Sequence, residues 1–139
     1  MGLIYTDIIL KNAGDGIRVQ CGLIKENEIR QVSVQALVDT GSGTLVINEE
    51  ICQKLGLEIK GLRRASFAND NKEVCKLTEP VEIYWKDRYT ACSALVVSGA
   101  SEVLLGAIPL EGMDLMINPA KHELVGAHGD EVVCYVKKA

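Results

Sequence analysis

An acidic residue directly follows an apolar run in the first third of the chain, in the tetrapeptide Asp39-Thr40-Gly41-Ser42. The run Val34–Val38 supplies mainly apolar side chains to a core, and Gly41 then permits a sharp turn. Desolvating a carboxylate is unfavourable unless it is hydrogen-bonded or shares a proton. A carboxyl group held in such a place can act as an acid or a base. We therefore interpret Asp39 as a candidate catalytic residue.

A single carboxylate rarely hydrolyses an amide, whereas two carboxylates that share a proton can do so. One takes a proton from water while the other polarises the carbonyl group, and the two must lie too close together for both to be ionised. The sequence contains no second Asp-Thr-Gly and no Asp-Ser-Gly. If Asp39 is catalytic, we therefore expect its partner to be Asp39 of a second copy, related by a two-fold axis.

The elements that position this motif are predicted to be mostly strands, because short apolar runs alternate with turn signals in the manner of an all-β domain. The predicted strands are Leu3–Leu10, Ile17–Ile24, Ile29–Val38, Leu62–Ala68, Lys72–Leu77, Val81–Trp85, Tyr89–Val97, Val103–Gly106, Leu115–Ile117, Glu123–Val125 and Val132–Val136. Turns are predicted at Asn12–Gly16, Asn69–Asn71 and Lys86–Arg88.

One helix is predicted over Asn48–Leu55. Asn48 can cap it, two glutamates follow in its first turn, and Gly56 can end it. A second helical or turn segment is predicted over Ala107–Gly112, directly after the short apolar run that stops on Gly106.

The motifs and their order resemble the retropepsin-like aspartic proteases. Residues 36–42, Ala-Leu-Val-Asp-Thr-Gly-Ser, match the signature of two apolar residues followed by Asp-Thr-Gly and a small residue. About sixty residues later, Val103-Leu104-Leu105-Gly106 matches the second hallmark, a pair of apolar residues and a glycine before a short helix. Residues 104–125 are similar to small prokaryotic members of this group.

This resemblance implies an all-β, closed retropepsin-like barrel with one or two short helices, formed by residues 1–139 as a single domain. The active site would lie at a homodimer two-fold and would need no cofactor. Asp39 would be the catalytic carboxylate, while Thr40 would hydrogen-bond across the dimer and hold the two loops in register. Gly41 would permit the turn, and Ser42 would donate to the outer carboxylate oxygen. Leu105 and Gly106 would pack beneath this loop.

The resemblance also places a flap, which closes over an extended peptide, at Leu62–Leu77. Its tip and substrate-contacting residues would be Phe67, Ala68, Asn69, Asp70 and Asn71. Flap tips in retroviral members of the group are rich in glycine, whereas this tip is polar and carries a charge. Two flaps would bring two Asp70 side chains near each other, which bears on flap closure and substrate preference.

Composition indicates which other functions are not expected. The formal charge of −4 argues against a nucleic-acid partner, and the absence of an 18-residue apolar run argues against a membrane span. Five dispersed cysteines indicate reduced core thiols and a cytoplasmic location. No metal site is expected, because His122 and His128 lack a second ligand at a suitable spacing. Glu102, Glu111 and Asp114 are interpreted as solvated side chains.

Two functional classes remain open. The first is a homodimeric aspartic endopeptidase, which the intact motif around Asp39 favours. The second is a dimer of the same fold that binds a peptide or serves as a scaffold with little or no proteolytic activity, which the charged flap tip favours. A third interpretation, an ordinary β-barrel in which Asp39 caps a local turn, explains the downstream glycine motif less well.

Overall fold

Nine β-strands and three short α-helices are found in the computed structural model, which describes residues 2–99 and 101–138. The strands are β1 (Tyr5–Asn12), β2 (Gln31–Val38), β3 (Leu45–Asn48), β4 (Ile59–Ser66), β5 (Lys72–Trp85), β6 (Arg88–Val97), β7 (Val103–Leu105), β8 (Leu115–Asn118) and β9 (Glu123–Gly126). The helices are α1 (Ala13–Gln20), α2 (Glu49–Leu55) and α3 (Ala107–Gly112), and a short 3-10 turn spans Glu26–Glu28.

Six of the strands close into a barrel. Their order is β1-β2-β7-β3-β6-β5, and β1 pairs with both β2 and β5, which joins the two ends of the sheet. The seventh strand of this sheet, β4, pairs with β5 outside the barrel, and β8 and β9 form a separate two-stranded sheet. The prediction of an all-β, closed barrel with a few short helices is confirmed.

Aliphatic side chains fill the barrel and alternate with more exposed residues along the strands. Ile8 and Leu10 of β1, Ile47 of β3 and Leu105 of β7 are all almost completely buried. Burial of each such side chain stabilises the fold by roughly 2 kcal/mol. The alternation arises because successive side chains of a strand point to opposite faces, and this is the pattern from which the strands were predictable.

Helix α2 forms where the sequence predicts it. The side chain of Asn48 accepts a hydrogen bond from the N–H of Ile51 at 2.9 Å, and Gly56 ends the helix with a left-handed φ of 60°. Ile51 and Leu55 are buried on one face, so packing onto the sheet holds this seven-residue helix. No helix in the described part of the chain is long and apolar enough to cross a membrane.

The prediction of a strand over Ile17–Ile24 is wrong, because α1 covers the first residues of this segment and a turn follows. The side chain of Asn12 caps α1 by accepting a hydrogen bond from the N–H of Asp15 at 3.1 Å. Asp15 is buried and accepts further hydrogen bonds from the side chains of Arg18 and Arg30. These contacts stabilise a helix whose two glycines disfavour it locally.

The prediction of a terminal strand over Val132–Val136 is also wrong. Within the described residues this segment has no strand partner, and it runs beside the turn between α3 and β8. The N–H of Val133 donates instead to the carboxylate of Asp114 at 3.0 Å. A side chain therefore satisfies a backbone donor that a strand would have used in a ladder.

The segments Lys72–Leu77 and Val81–Trp85, predicted as two strands, belong to the single 14-residue strand β5. A register shift between Leu77 and Pro80 interrupts its pairing with β6. Pro80 has no N–H to donate, and the irregularity at this point allows the strand to continue past it.

The interpretation of the cysteines as core thiols is correct for three of the five. Cys52 and Cys75 are buried and Cys92 is half-buried, and burial raises the pKa of each of these thiols. Cys21 and Cys134 are exposed, so the interpretation is wrong for these two.

Candidate active site

Asp39 lies at the end of β2, where the backbone of a neighbouring strand holds it. Strands β2 and β7 run parallel, with Val38 opposite Leu105, and the N–H of Asp39 donates to the carbonyl oxygen of Leu105 at 3.0 Å. The chain then turns, and the N–H of Ser42 donates to the carbonyl oxygen of Asp39 at 3.1 Å. The two sequence motifs, about sixty residues apart in the chain, are therefore in direct contact.

Each oxygen of the Asp39 carboxylate accepts a hydrogen bond from a neutral donor. The N–H of Gly41 donates to Oδ1 at 3.0 Å, and the hydroxyl of Ser42 donates to Oδ2 at 2.9 Å. These bonds fix the plane of the carboxylate without using all of its acceptor capacity, because an ionised carboxylate has about four lone-pair directions. Asp39 is only partly buried, so a bound molecule can reach the remaining positions.

Gly106 supports this loop from beneath. A Cβ atom at this position would collide with the carbonyl oxygens of Ser42 and Thr44. The N–H groups of the next two residues, Ala107 and Ile108, donate to the carbonyl oxygens of Ser42 and Gly43 at 2.8 and 3.1 Å. The start of α3 therefore packs directly against the Asp39 loop, and only glycine leaves enough room for this approach.

A cleft of about 760 Å³ opens above Asp39. Its walls come from β3, β6, β7, the start of α3 and the β4–β5 hairpin. The lining residues are Asp39, Gly41, Ser42, Gly43, Thr44, Val46, Ala65, Ser66, Phe67, Ala68, Leu95, Val97, Leu104 and Ile108. Asp39 is the one ionisable side chain among them. An apolar cleft with a single carboxylate at its floor suits a ligand that inserts apolar side chains and presents one polar group to Asp39.

Only some of the predicted flap residues in the β4–β5 hairpin line the cleft. Phe67 and Ala68 line the cleft together with Asp39, whereas Asn69 and Asn71 line a separate surface depression at the hairpin tip. Asp70 occupies the left-handed position of the tip with a φ of 64°. The side chain of Asn69 accepts a hydrogen bond from the N–H of Asn71 at 3.1 Å, which closes the turn.

Thr40 lies on the other side of the loop from the cleft. It lines a second cavity of about 620 Å³, formed with α3, β8 and the C-terminal segment. Exposed apolar side chains surround this region, among them Ile108, Met116 and Tyr135. The structure therefore brings together Asp39, Ser42, Phe67 and Ala68 in one cavity, leaves Asn69, Asp70 and Asn71 outside it, and turns Thr40 towards an apolar surface.

The apolar walls of the cleft were not identified from the sequence. Leu95, Val97 and Leu104 are predicted only as parts of strands and Ile108 as part of a helical or turn segment, and no element is predicted for Val46. Period-two alternation carried part of the signal, because Val46 lies between the buried core residues Leu45 and Ile47. The alternation separates the core face of a strand from its other face, but it does not show on which strands that other face lines a cleft.

The interpretation of Asp114 as a solvated side chain is wrong. Asp114 is buried, has a φ of 53° and accepts hydrogen bonds from the N–H of Val133 and from Nδ1 of His128 at 2.7 Å. These two contacts lower the pKa of Asp114. Arg88 is also buried and donates to the carbonyl oxygens of Met113, Asp114 and Gly129. Within the described residues, no group of three or more His, Cys, Asp and Glu side chains is arranged to hold a metal ion.

A closed barrel with an Asp-Thr-Gly-Ser loop at the floor of a cleft, supported by a glycine from a second motif, defines the retropepsin-like class. A model of the family described as "gag-polyprotein putative aspartyl protease" matches residues 26–112, which include both motifs. The match covers more than half of the sequence, so the chain belongs to this family of retropepsin-like aspartic proteases. No curated protein has a sequence that matches this chain significantly.

The fold is similar to that of a solved structure, the retroviral protease-like domain of Ddi1 from Leishmania major. The TM-score is 0.54, the sequence identity is 14%, and the similarity covers 90% of this chain and 88% of that one. At this level of identity the likeness shows a shared fold and carries no information about substrate.

Proposed function

We propose that this protein is a homodimeric aspartic endopeptidase that hydrolyses peptide bonds with two Asp39 carboxylates, one from each copy. The observation that carries the proposal is the setting of Asp39. Neutral donors orient both of its oxygens at the floor of an apolar cleft, and a hairpin covers that cleft. A binding site for apolar peptide side chains does not by itself require a carboxylate in this position.

In the proposed reaction, a water molecule lies between the two carboxyl groups, which together hold one proton. The ionised group takes a proton from the water as its oxygen attacks the carbonyl carbon, while the protonated group donates to the carbonyl oxygen. The resulting tetrahedral gem-diol collapses when the carboxyl group that took the proton from water donates it to the amide nitrogen, the other carboxylate takes a proton from a gem-diol hydroxyl, and the C–N bond breaks, which restores one proton to the pair. The products are a carboxylic acid and an amine, and no cofactor takes part.

The surface around Thr40 supports the proposed dimer. A single chain supplies one carboxylate of this kind, so a dyad requires a second copy whose loop faces the first. Thr40 lies beside the Asp39 loop, and exposed apolar side chains such as Ile108, Met116 and Tyr135 lie near it. Contiguous exposed apolar surface of this kind is typical of interfaces between subunits.

The decisive experiment compares the wild type with Asp39→Asn on a diverse peptide library between about pH 4 and about pH 7.5, with cleavage read by mass spectrometry. We expect Asp39→Asn to lower kcat/KM by roughly a thousandfold or more. Asp87→Asn is the matched control, because this substitution makes the same chemical change at a residue in an exposed turn. Equal cleavage by the wild type and Asp39→Asn would reject the catalytic role of Asp39.

A second candidate function is a peptide-binding or scaffold dimer with little or no turnover. The charged tip residue Asp70 favours it, since two flaps with like charges would repel each other on closing. Sedimentation analysis together with binding of library peptides separates the two functions. A wild-type dimer that binds peptides and leaves them uncut, indistinguishably from Asp39→Asn, would support the binding function.

A further inference from the structure

The β4–β5 hairpin carries a charge opposite to that of the rest of the chain. Its residues 60–76 include five basic and two acidic side chains. These are Lys60, Arg63, Arg64, Lys72 and Lys76, and Asp70 and Glu73. The hairpin therefore has a formal charge of +3, whereas the whole chain carries −4, so the remaining residues carry −7. A basic element on an acidic protein concentrates anionic ligands at one place on the surface.

The pairing of β4 with β5 assigns one of these cations to the side of the hairpin that faces the cleft. Ala65 lines the cleft, and Arg63 precedes it by two residues, so the two side chains share a face of the strand. The register supports this arrangement, because Cys75, opposite Arg63, shares its face of β5 with Leu77, and Leu77 lies opposite Leu95, which also lines the cleft. Arg64 lies opposite Val74, which is exposed on the outer face.

Arg63 is also free of an acidic partner among the described residues. Lys60 pairs with Glu58 and Lys76 with Glu49, whereas the guanidinium of Arg63 donates to the carbonyl oxygen of Leu62 at 2.9 Å. One guanidinium N–H uses that bond, and the others remain available to a carboxylate. Glu73, on the same face, lies opposite Ala65 and therefore nearer the tip than Arg63.

The residues that line the cleft include no cation. Its lining is apolar apart from Asp39 and small polar groups, so a substrate is expected to place apolar side chains next to the bond that is cut. Arg63 lies one pleat, about 7 Å along the strand, beyond Ala65. A peptide that runs under the hairpin would reach Arg63 a few residues away from that bond.

We propose that Arg63 selects substrates that carry an acidic side chain a few residues from an apolar scissile bond. This inference rests on the proposed peptidase function and names its substrate class, an extended acidic-flanked apolar peptide. Arg63 is a specificity residue in this scheme, while Arg64, Lys72 and Lys76 contribute only to the general field of the hairpin.

The test uses ten-residue peptides with an apolar central pair and Asp, Asn or Lys at one flanking position, which is moved stepwise away from the central bond. We expect wild-type kcat/KM to favour Asp over Lys by about tenfold at one of these positions. Arg63→Gln should reduce this preference to about twofold or less. Arg64→Gln, which removes the same charge from the outer face of the same hairpin, should retain most of it.

The binding of the same labelled peptides to Asp39→Asn, measured by fluorescence anisotropy, separates this inference from the proposed function. If no peptide is cut, a preference for Asp that disappears in Asp39→Asn/Arg63→Gln still supports the role of Arg63. Equal losses of the preference for Asp in Arg63→Gln and Arg64→Gln would overturn the role of Arg63. If raising salt from about 150 mM to about 500 mM also abolishes the wild-type preference, the long-range field of the hairpin is its cause. Absence of any preference for Asp, or tighter binding of a single-stranded oligonucleotide than of the acidic peptides, would also overturn the role of Arg63.

Discussion

Two aspartates in this molecule follow apolar strands but have different surroundings. Asp15 lies three residues after β1 and is 2% exposed, and the side chains of Arg18 and Arg30 donate to both of its oxygens. Asp39 lies directly after β2, is only partly buried, and accepts hydrogen bonds from the N–H of Gly41 and the hydroxyl of Ser42. The donors are cations in the first case and neutral groups in the second.

This difference separates a structural carboxylate from a candidate catalytic one. The hydrogen bonds from Arg30 hold the pKa of Asp15 well below its ordinary value, so this group stays ionised and joins α1 to the start of β2. Among the described residues no cationic side chain pairs with Asp39, and a cleft of about 760 Å³ gives access to it. Burial after a strand is therefore not sufficient evidence of catalysis, and the charge of the donors and the access to the oxygens decide between the two roles.

Backbone contacts position the Asp39 loop, whereas side chains position Asp15. The largest expected loss of stability therefore comes from disturbing those backbone contacts. Gly106→Ala should lower the free energy of unfolding by about 3 kcal/mol, since the new methyl group meets the carbonyl oxygens of Ser42 and Thr44. Gly43→Ala is the control, because its Cβ would have no atom within 4 Å, and it should change stability by less than about 0.5 kcal/mol. Urea unfolding measures both, and equal effects would contradict this account of the loop.

A smaller effect is expected from replacing each carboxylate. Asp15→Asn should lower the free energy of unfolding by about 2 kcal/mol, a value limited by the solvent exposure of Arg18 and Arg30. Asp39→Asn should change it by less than about 0.5 kcal/mol, because only neutral hydrogen bonds are altered. Thermal or urea unfolding gives the stability of the two variants, and peptide cleavage gives their peptidase activities, so the two effects can be compared for each aspartate. A larger loss of stability in Asp39→Asn would reverse the assignment of the two roles.

The smallest expected effect is the loss of folding stability at low pH. Because the pKa of Asp15 is lower in the folded than in the unfolded protein, the stability that it contributes is present above about pH 5 and is lost as the pH falls further. We expect about 1 kcal/mol of this contribution to disappear between pH 5 and pH 3. The same titration in Asp15→Asn should show a shallower loss by that amount. Parallel curves for the wild type and the variant would show that Asp15 does not set the acid response.

Local sequence was enough to predict α2 and the loop around Asp39. The cap at Asn48, the glycine at Gly56 and the turn at Gly41 act through hydrogen bonds and dihedral angles within a few residues. Such interactions are encoded where they act, so their residue types can be interpreted without knowing the rest of the fold.

Helix α1 could not be predicted in the same way. Its two glycines and its apolar residues Ile17 and Val19 are compatible with a strand, and its strongest contact joins Asp15 to Arg30, fifteen residues away. The pairing of β1 with β2, together with the hydrogen bond from the N–H of Asn12 to the carbonyl oxygen of Arg30, brings this pair together. Tertiary contacts therefore override the weak local preference.

The sequence by itself determined that Asp39 stands at a strand end with Gly41 and Ser42, and that Gly106 follows a second apolar run. The tertiary structure alone decided that Leu105 holds the backbone of Asp39, that Val46, Leu95 and Leu104 wall the cleft, and that Phe67 and Ala68 of the β4–β5 hairpin lie over it. The physical reason is the range of the interactions. Turns and caps form between neighbours in the chain, whereas a cleft forms where strands that are distant in sequence come to lie side by side.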